Sequence, residues 1–364
     1  LAQGGGSFIG NFDHVFLTGI GLGSSVGSFI AREAISPRRA LGIAQFLIIA
    51  AITWTGWNVA ESLPYWPVNP GLAYSPWMSF QMDLVRCMWV VLPGACLWGA
   101  SFPLALGAVA TTGEDTGRTV GGVYAANTIG AILGALSLSI VLIPWLGTQN
   151  AQRVLVGVAA LGALVALAGR KTWMVATLAL AVTLASSMPK IPVLLVGYGR
   201  YSATWRGQTG KFIFMGEGIN SSMAVSELSD GTRNYHNAGK VQASSLPQDM
   251  RLQRMLGHLT TLLPKDPKKM LVIACGAGVT AGAVSINPLV EHETIAEIEP
   301  LVPQVVSEYF GDHNYHVVKN PKVHVHVDDA RHFLLTTKEK FDGITSDPFD
   351  PWVKGAANLY TREF

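Results

Sequence analysis

Charge is scarce in this sequence. Lysine, arginine, aspartate and glutamate make up 14% of its 364 residues against 49% hydrophobic, and the mean hydropathy is positive. A water-soluble domain carries about 25% charged residues, so this chain points to a bilayer. A net charge of +2, with no basic run or zinc-finger spacing, argues against nucleic acid as a partner. Cysteine is scarce too. Cys87, Cys96 and Cys275 lack metal-like or disulfide-like spacing and read as small buried residues. The opening "LAQGGGSFIGNF" has no charged n-region, so no signal peptide is read there. A chain beginning at Leu1 is expected to be a fragment of a longer one.

The apolar material lies before residue 190, in candidate spans at roughly 14–31, 40–58, 86–110, 119–145, 152–169 and 172–188. Most approach the ~20 residues that cross a bilayer. Breaks such as "AREAISPRRA", "SLPYWPVNPGLAYSPW" and "LGTQNAQR" separate them. Small residues recur every fourth position at Gly19, Gly23 and Gly27, and again at Ala126, Gly130 and Gly134, as in close helix packing. A substrate path is the competing reading, but charged groups inside the spans are nearly absent. Arg32, Arg38, Arg39, Arg118, Arg170 and Lys171 fall on one set of connections, Arg86 and Arg153 on the other. The first set is expected to be cytoplasmic, and six crossings then put the segment after Met188 on the far side. Tyr65, Trp66 and Trp77 read as an interfacial belt.

From about residue 199 the pattern changes. Short alternating runs broken by Asp-Gly and Asn-Ala-Gly read as a small antiparallel β subdomain over 199–245. Over 246–364, a helix at "DMRLQRMLGHLTTLL" is followed by strands and helices in alternation, which implies a parallel Rossmann-like sheet. The expected fold is thus a polytopic α-helical membrane domain over 1–190 followed by an α/β domain.

Parallel sheets bind ligands beyond their strand C-termini. Four such ends here read "CGAG", "EIE", "DDA" and "SDPFD". Gly276 and Gly278 would let a ligand approach the backbone, Glu297 could accept from ribose hydroxyls, and Asp329 could meet an adenine amino group. GxGxxG spacing is absent, which favours a nucleoside such as an adenosyl sulfonium over a dinucleotide. Asp347 and Asp350, each followed by proline, are either turn acids or functional carboxylates facing the other three ends. His324 and His326 alternate on one strand and His236, His258 and His332 are scattered; without a completing carboxylate or cysteine they read as surface or packing residues.

The segments "MLVIACGAGVTAGAV", "IAEIEPLVPQVV", "VHVDDARHFL" and "ITSDPFDPWVKGAANLYTREF" resemble the polyamine aminopropyltransferase (spermidine synthase) family. With "GASFPLALGAVA" and "GRTVGGVYAANTIGAILGAL" upstream, the chain is similar to a membrane-fused bacterial branch, which implies a multi-pass inner-membrane protein. The resemblance implies no tightly bound cofactor, but decarboxylated S-adenosylmethionine or a related adenosyl compound as co-substrate. It implies that Glu297 holds the ribose and that Asp329 and Ala330 face the adenine. Asp347 would be the base that deprotonates the attacking amine, and Asp350 and Gln253 would bind the acceptor. Three positions depart from the family pattern. Ala277 replaces the aspartate that holds the donor's ammonium, Leu252 replaces a tyrosine, and Lys354 adds positive charge where a polycation should pass. The family's sheet also continues further, so the domain is expected to be incomplete at its C-terminus.

Two functions follow. One is a membrane-anchored transferase acting through Asp347, its partners the lipid bilayer and small substrates. The other is a catalytically retired accessory subunit of a membrane complex.

Overall fold

A computed structural model describes residues 5–66, 75–110, 116–207, 210–347, 359 and 361–362. The chain divides into two compact units, Leu1–Pro192 and Val193–Phe364.

The first unit is helical: α1 (Gly5–Glu33), α2 (Pro37–Trp57), α3 (Pro76–Val109), α4 (Thr116–Leu136), α5 (Ile143–Ala166) and α6 (Lys171–Ser187). The Ser36 and Ser75 side chains cap α2 and α3 by accepting from the amides of Arg39 and Met78. π-helical turns extend α2 (Asn58–Ser62) and α4 (Ser137–Leu142). Among the described residues, four stretches are long and apolar enough to cross a bilayer: Asn11–Glu33, Pro37–Tyr65, Phe80–Val109 and Gly117–Ala166. The last has length for two passes, and its backbone leaves helical geometry at Gly147 (φ 77°, ψ 160°), inside the expected "LGTQNAQR" break. With 17 residues, α6 measures about 26 Å, slightly less than a ~30 Å hydrocarbon core.

The two small-residue stripes behave differently. Gly19, Gly23 and Gly27 of α1 pack against α3, where added Cβ atoms would fall 2.6 Å from Ala95, 1.9 Å from the Cys96 carbonyl oxygen and 2.7 Å from Ala100. Gly99 answers from α3 against Ile20. This seam exists because backbones without side chains can approach so closely. By contrast, among the described residues nothing lies within 4 Å of the Cβ positions of Gly130 and Gly134, so these two glycines form no seam there.

Arg86 and Arg153 do not lie on connections. Arg86 is buried within α3, paired with buried Asp83 at 3.3 Å one turn earlier. Arg153 lies within α5, with Nε donating to the Ala185 carbonyl and a terminal nitrogen donating to Asn150 Oδ1. A local partner lets each cation stay inside a helix, so the apolar spans are not free of charge. Arg32, Arg38, Arg39, Arg118 and Lys171 instead fall at the ends of their helices.

The second unit begins with α7 (Val193–Tyr198). An antiparallel sheet follows, β1 (Lys211–Glu217), β2 (Ser222–Glu227), β3 (Arg233–Asn237) and β4 (Lys240–Ser244), in that order. Next come α8 (Pro247–Leu262), β5 (Lys269–Ile273), α9 (Val279–Ser285), β6 (His292–Glu297), α10 (Leu301–Tyr309), β7 (Val323–Val327), α11 (Ala330–Thr336) and β8 (Gly343–Ser346). The second sheet is parallel, ordered β7-β6-β5-β8. Alternation along β5 sends Met270 and Val272 to one face and Leu271 and Ile273 to the other. On the first face they share a core with Met223, Val225 and Tyr235 of the small sheet and with Val302, Val306 and Phe310. The small sheet is thereby packed onto the parallel one. His236 is fully buried on the small sheet, held by Ser226 Oγ at 2.8 Å and the Gly197 carbonyl at 3.0 Å, a packing role.

The α1–α3 seam yields a paired test. Gly23→Leu should destabilise the detergent-solubilised protein by roughly 1–3 kcal/mol or more through overpacking, seen as a lower melting temperature. Gly130→Leu, made into open space, should leave that temperature unchanged; equal effects from both would contradict the seam.

Candidate functional site

Strands β5, β6, β7 and β8 run parallel, so their C-termini meet at one edge. The turn after β5 opens with Ala274 at φ 63°, then Gly276 at 51° and Gly278 at 77°. These left-handed positions suit glycine; Ala274 holds one without being glycine, a local strain. Among the described residues, no atom lies within 4 Å of a Cβ built on Gly276. At Gly278 the same construction meets Asn314 Nδ2 at 2.7 Å. Asn314 is wholly buried and donates to the carbonyls of Ala277 and Val306 at 3.1 and 3.2 Å. It anchors the turn from a loop that no sequence pattern marked.

Glu297 ends β6, and its carboxylate is buried. Oε2 accepts from the Cys275 amide at 2.7 Å, and Oε1 from the Glu299 amide at 2.9 Å. Burial pushes its carboxyl above the usual range, opposed by those amide hydrogen bonds. The Tyr235 hydroxyl, also buried, is pushed up by burial and then by the charge of Glu297. Glu299 accepts from the amides of Asn220, Ser221 and Leu301.

At the end of β7, Asp329 is the N-cap of α11, its Oδ1 accepting from the amides of Arg331 and His332 at 2.7 and 3.3 Å. Ala330 is the first residue of that helix. Asp328 pairs with His332 at 2.6 Å and His326 at 3.7 Å, giving both imidazoles a carboxylate neighbour that the strand spacing did not suggest. Among the described residues, no group of three side chains could hold a metal ion.

Asp347 follows β8 and faces the start of α9. Its carboxylate accepts from Thr280 Oγ1 at 3.3 Å, and burial raises its pKa. The structure thus gathers Gly276, Gly278, Glu297, Asp329, Ala330 and Asp347 on one sheet edge. Gln253 is buried in α8, where its amide donates to the Asp249 carbonyl one turn back. Asp350 and Lys354 lie outside the described residues. Ala277 packs in the apolar core beside Cys275, while Leu252 is exposed on α8. Thr280, Asn314, Tyr235 and Glu299 were missed from sequence. Only Glu299 carried a signal there, as the second acid of "EIE".

Residues 249–364 match the family model of the spermine/spermidine synthase domain. A polyamine aminopropyltransferase of Sulfurisphaera tokodaii is 30% identical over 128 residues, 35% of this chain and 42% of that protein. One from Pseudomonas syringae pv. tomato is 34% identical over 110 residues, 30% of this chain and 38% of that protein. Among solved structures, a spermidine synthase in complex with the transition-state analogue AdoDATO aligns at 23% identity and a TM-score of 0.39. It covers 42% of this chain and 52% of that one. The C-terminal region is a spermidine synthase-like domain, and the chain spans about two-fifths of the length of these curated relatives.

One further acid lies on β6. Glu293, on the same face as Ile295 and Glu297, is fully buried, and among the described residues neither carboxylate oxygen has a hydrogen-bond partner. Burial pushes its pKa from 4.5 up to about 9, with Lys322 pulling weakly the other way. Between those values the folded chain holds a proton that the unfolded chain has released, so stability falls as pH rises through that window. Glu293→Gln should flatten this slope and raise the melting temperature at pH 8 by several degrees. A slope identical to wild type would show that Glu293 is not the titrating group.

Proposed function

We propose that the chain is a membrane-anchored aminopropyltransferase-like protein, held in a bacterial inner membrane by its helical unit. Its C-terminal domain binds an adenosyl-sulfonium donor, decarboxylated S-adenosylmethionine or a related compound, and Asp347 is the base. The observation that carries this reading is the half-buried Asp347 carboxylate beside Thr280. It sits on the same sheet edge as the Gly276 turn and Glu297. The relatives' names supply the reaction class.

The chemistry follows from the groups present. An ammonium cannot attack carbon until it loses a proton, and a carboxylate whose pKa is raised by burial is a better acceptor for it. The freed amine nitrogen then forms a bond to the carbon attached to sulfur. The C–S electron pair returns to the sulfonium, and a neutral thioether nucleoside leaves. Glu297 has lone pairs beyond those used by Cys275 and Glu299, and these would accept from ribose hydroxyls. Asp329 has one oxygen not engaged in capping α11.

A second reading, a non-catalytic subunit of a membrane complex, is favoured by Ala277. The resemblance implies a carboxylate there for the donor's ammonium, and this chain has a buried methyl group. Incubating the intact protein in detergent with the donor and a set of diamines separates the two. The transferase reading predicts product formation, with Asp347→Asn lowering the rate roughly 10²–10⁴-fold and leaving donor affinity within about twofold. No product from wild type with any amine, together with stable co-purifying membrane subunits, would favour the second reading instead.

A further inference from the structure

Glu299 lies two residues beyond the end of β6 and is almost completely buried, at 2% exposure. Its Oε2 accepts from the amides of Asn220 at 2.6 Å and Ser221 at 3.2 Å, both in the turn joining β1 to β2. Oε1 accepts from the Leu301 amide at 3.1 Å, at the start of α10. The same turn is tied a second time by Asn220 Nδ2, which donates to the Ile298 carbonyl at 2.7 Å.

Gly218 makes the approach possible. A Cβ built there would lie 2.4–2.5 Å from the carboxyl atoms of Glu299, so any other residue would push the turn away. The turn closes on itself through the Gly218 amide and the Ser221 carbonyl at 2.9 Å. On its other side, the Glu299 amide donates to Glu297 Oε1, while Cys275 at the Gly276 turn donates to Glu297 Oε2. One continuous chain of hydrogen bonds therefore runs from the hairpin, through Glu299 and Glu297, to the glycine turn. Charge-assisted bonds to backbone amides are among the stronger ones, and a buried network of this kind fixes geometry.

We propose that Glu299 is a positioning residue that locks the β1–β2 turn onto the ligand edge and so sets the placement of Glu297. The small sheet is then a working wall of the nucleoside site. Binding a nucleoside at Glu297 tightens the hairpin, and loosening the hairpin weakens binding. This rests on the nucleoside-binding reading above.

The test is hydrogen exchange at the Asn220 and Ser221 amides of the intact protein in detergent, with and without 5′-methylthioadenosine, alongside titration of that nucleoside. In wild type, both amides should be protected and become more so on binding. Glu299→Gln leaves one of the two accepting oxygens replaced by an NH2 group that cannot accept. It should speed exchange at the turn and weaken nucleoside affinity about tenfold, while the melting temperature changes little. Gly218→Ala attacks the same contact from the opposite side and should reproduce both effects. Wild-type turn amides that gain no protection on binding would overturn the proposal without any variant. So would a Glu299→Gln protein that binds as tightly as wild type. A wild type that binds no nucleoside at all would overturn the functional reading, and the positioning role with it.

Discussion

The carboxylate of Glu297 accepts one amide from the turn after β5 and one from the residue that begins the link to α10. Two loops that leave adjacent parallel strands in different directions are thereby pinned to a single buried group. The glycine turn can then hold its left-handed geometry, because its other flank is anchored by Asn314 through the Ala277 carbonyl. Asp347 completes the edge from β8, paired only two strands away through β5. The site is a property of strand order: the β7-β6-β5-β8 arrangement makes neighbours of residues that are up to 71 positions apart, from Gly276 to Asp347.

The helical unit is governed by a different constraint. With little charge to specify contacts, its helices rely on backbone proximity. The α1–α3 seam, where Gly23 meets the Cys96 carbonyl, is the closest approach of that kind. Several polar groups inside this unit are matched with one another, as Asp83 is with Arg86 and as Trp89 Nε1 is with Asn58 Oδ1. Such matching is what burial of polar groups in an apolar setting requires.

Much of the α/β domain was legible in the sequence. Strand periodicity, acids at strand ends and the glycine turn each have a local signature, and spacing alone puts Gly276, Gly278, Glu297, Asp329 and Asp347 at strand ends, where the structure has them. What spacing cannot carry is contact between distant residues. Asn314 and Thr280 act on partners 37 and 67 positions away, and no periodic pattern encodes that. Spacing makes Asp329 a candidate for adenine, whereas its position before "ARHFL" also suits a helix cap, the role its Oδ1 performs. Arg86 was read as a loop charge because the pattern alone did not reveal its pairing with Asp83. The two glycine stripes looked equivalent as strings, and only three-dimensional packing separated them.

The claim on which the rest depends is that this edge still binds an adenosyl compound. Calorimetric titration of the intact protein in detergent with 5′-methylthioadenosine, and separately with decarboxylated S-adenosylmethionine, addresses it without assuming turnover. The account predicts a dissociation constant in the micromolar range, about −8 kcal/mol, for at least one of them, lost in Glu297→Ala. No heat of binding at millimolar concentrations of either compound would contradict it.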